Sequence, residues 1–252
     1  MPAPINTLKS AMGQGQLLRG LWLSLGSDIV TDIAGRAGFD WCLVDGEHGP
    51  WDPTVIRRQL MVLAGTGTSA VVRVPVNADW LLKQALDMGA QSVMVPMVNS
   101  AAEARAAVAA CRYPPQGVRG SGGPTMRAGG YGAIADYAAT ANDQICVIVQ
   151  AESRAAMADL AQIAAVDGVD CVFIGPADLA ADMGLRDDMG NPALWAEIRR
   201  GVGVITAAGK TAGIIVSPGM AADMVDAGVR FLGLGSDSGT VTESLRNLAR
   251  GA

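Results

Sequence analysis

Eight short runs of near-continuous apolar residues, each followed by a Gly, Pro or Asp break and then an amphipathic helical segment, constrain this chain more than any other feature. They fall at residues 20–25, 41–45, 70–75, 92–96, 145–150, 171–175, 213–216 and 231–235. A strand that is apolar throughout, rather than at alternate positions, is covered on both faces, and alternation with helices makes such strands parallel. Eight units of this kind close naturally into a barrel, and 252 residues match the ~250 of a single barrel domain. The chain, 1–252, is therefore expected to be one α/β domain, a (β/α)8 TIM barrel with an extra N-terminal helix over residues 5–12. The competing architecture is a doubly wound open sheet. It would want a Gly-x-Gly-x-x-Gly turn after the first run if it bound a dinucleotide, and none is present.

Local signals fit the same pattern. Ser27-Asp28 is placed to cap a helix, Pro53 opens another, and an Ala-rich helix is expected over residues 101–111. The longest irregular stretch, residues 113–132, is Gly-rich and carries Arg119 and Arg127, and a last helix is expected over residues 240–250. With a net charge of −5, the chain offers no broad basic surface for nucleic acid or an anionic membrane. No run approaches the ~18 apolar residues of a membrane span, and the first residues lack the apolar core of a signal peptide, so a cytoplasmic protein is expected. Cys42, Cys111, Cys146 and Cys171 are far apart and mostly inside apolar runs, as suits reduced core residues.

In a barrel of this kind the loops after the strands form the functional face, so polar residues at strand ends are the ones to follow. The second run ends in Asp45-Gly46-Glu47-His48, and His48 is the only histidine in the chain. The third contains Arg73, a cation in an otherwise apolar run, which needs a carboxylate from the protein or from a substrate. The fifth ends Gln150-Ala151-Glu152, whose spacing of two puts both polar side chains on one face. The sixth ends Gly175-Pro176-Ala177-Asp178 at a helix start, where backbone N–H groups could hold a substrate carboxylate. Glu152 and Asp178, from adjacent strands, suit a hard divalent cation with most coordination positions left to water and substrate. The structural alternative is that each acid merely caps the helix after it. Lys9, Lys83 and Lys210 all lie off the strands, so Schiff-base catalysis lacks a nucleophile and enolate chemistry would need a metal.

Five motifs carry a family resemblance: residues 20–23 (Gly-Leu-Trp-Leu), 45–50 (Asp-Gly-Glu-His-Gly-Pro), 93–98 (Val-Met-Val-Pro-Met-Val), 112–120 (Arg-Tyr-Pro-Pro-Gln-Gly-Val-Arg-Gly) and 172–179 (Val-Phe-Ile-Gly-Pro-Ala-Asp-Leu). In this order, over nearly the whole chain, they resemble the HpcH/HpaI family of metal-dependent (class II) pyruvate aldolases. The resemblance implies a divalent Mg, Mn or Co ion, no organic cofactor, and a homo-hexamer built as a trimer of dimers with exchanged C-terminal helices. It implies Glu152 and Asp178 as metal ligands, Arg73 on the keto acid oxygen, His48 with Asp45 as the acid/base pair, and Gln150 as a keto acid contact. Asp45 would fix the His48 tautomer or bind a water on the metal; Glu47 could do the same work, and spacing alone does not choose. Gly175, Pro176 and Ala177 would line the keto acid. Trp22, Ile215 and residues 113–132 are expected to shape the choice of substrate, or, for the loop, to form a subunit contact. The expected reaction is reversible aldol cleavage of a 4-hydroxy-2-keto acid to pyruvate or hydroxypyruvate and an aldehyde. The alternatives are a malyl- or citramalyl-CoA-type lyase, with Arg119 and Arg127 near the nucleotide phosphates, and a non-catalytic keto acid binder.

Overall fold

The structure is a computed structural model that describes residues 1–251; Ala252, inside the expected domain, lies outside the described residues. Its eight strands are β1 (Leu18–Leu23), β2 (Trp41–Asp45), β3 (Ser69–Arg73), β4 (Ser92–Val95), β5 (Cys146–Ala151), β6 (Cys171–Ile174), β7 (Thr211–Ile215) and β8 (Phe231–Ser236). They pair in parallel, each with the next, and β8 closes on β1 through Leu18 opposite Phe231. Around them run α1 (Thr7–Gly13), α2 (Asp28–Gly35), α3 (Pro53–Leu63), α4 (Asp79–Asp87), α5 (Ala101–Cys111), α6 (Tyr137–Thr140), α7 (Arg154–Ala158), α8 (Leu160–Ala164), α9 (Pro176–Asp182), α10 (Pro192–Ala207), α11 (Ala221–Asp226) and α12 (Asp237–Arg250). The closed barrel, rather than the open sheet, is the fold.

The doubly apolar strands have two separate cores to fill. Val44, Val72, Val93, Val149, Val172 and Ile214 point outward into the layer between sheet and helices. Their neighbours Trp41, Leu43, Val71, Met94, Ile148 and Phe173 point inward and fill the barrel. Trp41 stacks on Phe231 with centroids 4.1 Å apart, and Trp22 meets Phe173 at 5.4 Å. The indole of Trp41 takes the space beside Gly20, where a Cβ would come within 2.1 Å of the ring. Leu8 and Met12 of α1 join this inner core, so the extra helix plugs the N-terminal end of the barrel. The four cysteines are buried and free.

Several boundaries differ from the sequence expectation for visible reasons. β1 runs Leu18–Leu23 rather than 20–25, because pairing with β8 begins at Leu18, while the Ser24 and Leu25 amides donate to the Asp237 carboxylate instead of to a strand. The last helix begins at Asp237 rather than near residue 240, capped by Ser236. Residues 113–132 connect α5 to β5 and therefore lie at the N-terminal end of the barrel, remote from the mouth of their own chain. There Tyr113 and Met126 form a small core with Ala3, Tyr137 and Ala141. Arg119 is fully buried in it, stacked 4.5 Å from the Tyr113 ring centroid and bonded to Asp87 at 2.8 Å, so it is not available to a nucleotide phosphate. Among the described residues no helix is long and apolar enough to cross a membrane.

Candidate active site

At the C-terminal ends of the strands four inward positions carry charged or amide side chains: Asp45, Arg73, Gln150 and, one step past β5, Glu152. Register explains how they meet. Asp45 lies directly opposite Arg73 in the β2–β3 ladder, and the guanidinium grips its neighbour in a fork, Nε to Oδ1 at 2.9 Å and Nη2 to Oδ2 at 2.7 Å. The Asp45 side chain is 2% exposed and that of Arg73 7%, and two charges so dehydrated are tolerable only with this bidentate pairing. The other edge of Arg73 binds Glu47, Nη1 to Oε2 at 2.7 Å, with a longer contact of 3.4 Å to Gln150 Oε1. Gln150 Nε2 then donates to Glu152 Oε2 at 3.0 Å. The chain of contacts thus runs across the mouth from β2 to β5.

This geometry corrects the expected partnership of His48. Asp45 is committed to Arg73 and, through Oδ1, to the backbone amides of Glu47 and His48, so its carboxylate positions the turn rather than the imidazole tautomer. The acid facing the ring is Glu47, with Nε2 and Oε2 3.9 Å apart, longer than a hydrogen bond. The His48 side chain is 66% exposed and stands at the rim. The turn is tight: a Cβ on Gly49 would fall 2.3 Å from the Asp45 carbonyl oxygen.

Glu152 is 2% exposed, and burial pushes its carboxyl up to about 7, with the negative charges of Asp178 and Glu47 adding to the shift; the Met97 amide and Arg73 oppose it. Glu47 is also raised, first by burial and then by Asp45 and Asp178, against the lowering pull of Arg73 and His48. Neither candidate ligand caps a helix with its side chain. Ser153 caps α7 through the Ala156 amide and α9 begins at Gly175 without a side-chain cap, so neither acid makes a capping bond, while Asp178 keeps the place of a first-turn acid in α9. Gly175 has a steric role: a Cβ there would lie 2.3 Å from Glu152 Oε2. Pro176 is the buried first residue of α9, and Ala177 and Asp178 stand exposed in its first turn. Trp22 and Ile215 pack together against Gly233 and belong to the inner core, so they floor the mouth rather than line its rim.

The donor set fits a hard cation. Asp45 and Glu47 are bonded to one guanidinium, while Glu152, raised chiefly by burial and further by the charges of Asp178 and Glu47, has no cation bonded to it among the described residues, and such oxygen donors suit a divalent ion. Among the described residues no group of three His, Cys, Asp or Glu side chains is placed to hold a metal ion, so a cation here would have at most two of these side chains as ligands. Two contributors were not singled out from the sequence. The Met97 amide donates to Glu152 Oε1 at 2.8 Å, and buried Asp237 ties the loop after β1 to the end of β8. An acid directly after the last strand could have suggested the second; nothing in the residue type suggests the first.

Comparison with known proteins gives the family and supports the fold. The HpcH/HpaI aldolase/citrate lyase family matches residues 18–244. A hydroxypyruvate/pyruvate aldolase of Agrobacterium fabrum is 48% identical over 99% of this chain and 94% of its own. A 4-hydroxy-2-oxo-heptane-1,7-dioate aldolase of Salmonella arizonae is 44% identical over 97% of this chain and 93% of its own. The crystal structure of a Burkholderia cenocepacia protein of the aldolase/citrate lyase family superposes with a TM-score of 0.94 at 37% identity, covering 97% of this chain and 98% of that one. With the family's match spanning the barrel from its first strand to its last helix, the chain belongs to the HpcH/HpaI aldolase/citrate lyase family.

Proposed function

We propose that this aldolase-family enzyme catalyses reversible, divalent-cation-dependent aldol cleavage of 4-hydroxy-2-keto acids to pyruvate or hydroxypyruvate and an aldehyde. The observation that carries the reading is the pairing of one buried cation, Arg73, with a surplus of carboxylates that includes a buried Glu152. Glu152 and Asp178 would hold a Mg, Mn or Co ion, which supplies Lewis-acid stabilisation of negative charge on the keto oxygen. Arg73, held rigid by Asp45, orients the same oxygen and strengthens its contact as enolate charge develops. The amides at Ala177 and Asp178, with Gly175 and Pro176 behind them, receive the substrate carboxylate, and Gln150 fixes the keto acid against Glu152. His48, exposed at the rim where an aldehyde would enter, takes the C4 hydroxyl proton in cleavage and returns it in synthesis; Glu47 is placed to steady its charged form.

His48→Ala is expected to lower retro-aldol turnover by about 10²–10⁴-fold with cation binding retained. A panel of keto acid donors and aldehyde acceptors, assayed with each cation, tests the reading. Turnover of the panel by His48→Ala at the wild-type rate would refute the assigned role. A coenzyme A thioester lyase is disfavoured by Arg119, which is spent in the loop core.

A homo-hexamer, a trimer of dimers, is proposed as the working form. Its support is α12, which buries only Asp237 and leaves Val241, Leu245 and Leu248 exposed at helical spacing beyond its first turns. Leu245→Asp with Leu248→Asp is expected to reduce the particle mass measured by light scattering. Unchanged mass would contradict docking of α12 on a second copy. A cytoplasmic location is part of the same proposal, supported by free, buried cysteines.

A further inference from the structure

We infer that Met97 positions Glu152 through its left-handed backbone rather than through its side chain. The inference rests on the reading of Glu152 as a cation ligand. Among the described residues only Met97 and Tyr131 are non-glycine residues with positive φ, at 53° and 55°. Tyr131 sits between Gly130 and Gly132, but Met97 lies between Pro96 and Val98, just past β4, where nothing in the sequence asks for this conformation. An L-residue held there is strained, and such strain persists only where the surroundings over-determine it.

Here they do. The Met97 amide donates to Glu152 Oε1 at 2.8 Å, and the next amide, Val98, donates to the Gln150 carbonyl at 3.0 Å. In extended chain successive amides point to opposite sides; a left-handed residue lets two in a row face the end of β5. The Met97 carbonyl in turn accepts from Asn99 Nδ2 at 3.0 Å, and Asn99 is held by the Ser153 hydroxyl. With Oε1 fixed by Met97, Oε2 fixed by Gln150 and the wall at Gly175 close behind, the carboxylate cannot rotate. A cation therefore meets an oriented ligand, and the orientation comes from the turn after β4. The Met97 side chain, half-exposed, is not required for this.

The test is calorimetric titration of chelator-treated protein with Mn(II), beside the thermal melt of each metal-free variant. Met97→Gly and Met97→Asn, which accept the left-handed conformation, should bind as the wild type does. Met97→Val, β-branched, should turn the amide away and weaken binding by about 10–100-fold, the usual effect of losing a contact that orients a ligand, with a melt close to wild type. Wild-type affinity in Met97→Val, equal losses in all three variants, or losses that simply follow the melting temperature would each overturn the inference. Glu152→Gln separates the two layers: if it binds Mn(II) like the wild type, the ligand reading itself fails. If it does not, while Met97→Val binds normally, only the role of Met97 fails.

Discussion

The two ends of the barrel bury charge in opposite ways. At the N-terminal end three cations are held by the protein itself, although Nε and Nη1 of Arg119 have no hydrogen-bond partner. Lys9 donates to the Ile145 carbonyl at 2.6 Å and meets Asp170 at 3.3 Å, Lys210 donates to the Val169 carbonyl at 2.8 Å, and Arg119 lies between Asp87 and two tyrosine rings. Asp170 also accepts from the Val147 amide at 2.8 Å, pinning the start of β5. At the mouth, one guanidinium faces Asp45 and Glu47 directly, and two further acids, buried Glu152 and exposed Asp178, have no cation bonded to them among the described residues. Buried charge alone therefore does not mark a working site; a surplus of one sign does.

The comparison breaks most sharply at the metal ligands. Glu152→Ala and Asp178→Ala are each expected to abolish cation-dependent aldol activity, while Lys9→Ala leaves it unchanged; full activity in either acidic variant would erase the distinction between the ends. Removing Asp45 should strand Arg73, so Asp45→Ala is expected to cost about 3 kcal/mol, the lower range for breaking a buried pair because Glu47 still holds one edge. Lys9→Ala, at a part-exposed pair, should cost about 1 kcal/mol. Equal losses in urea denaturation would show that the ends are built alike.

A pH series sharpens the same contrast. Burial raises the Glu152 carboxyl to about 7 in the folded protein, from an ordinary value of 4.5, so the native state carries more protons than the unfolded chain between these values. Stability of metal-free protein should thus fall as pH rises from about 4.5 to about 7 and level off above, by about 3 kcal/mol in all. Glu152→Gln should flatten that slope, and a saturating divalent cation should reverse it. A wild-type profile in Glu152→Gln would assign the slope to another group.

Much of the fold was legible because eight doubly apolar strands have few ways to be buried, and the spacing of two at the end of β5 put Gln150 and Glu152 on one side, where they bond. What the sequence could not resolve was pairing within the mouth. Asp45, Glu47 and His48 are adjacent in sequence, but the ladder register, which places Asp45 opposite Arg73, decides that the imidazole is left to Glu47. Residues 113–132 lie between α5 and β5, an order already legible in the sequence, and this puts them at the end of the barrel away from their own mouth, against the first of the two roles expected of them. The Met97 turn is set by tertiary hydrogen bonds and has no local signature at all.

The central claim, that the mouth stabilises a keto acid enolate with a bound cation, is tested most directly by C3 proton exchange of pyruvate in deuterated water. Chelator-treated protein should show no exchange above the buffer rate, and Mg, Mn or Co should restore it in the wild type but not in Glu152→Ala. Exchange that continues undiminished in excess chelator, or that no cation restores, would contradict the claim.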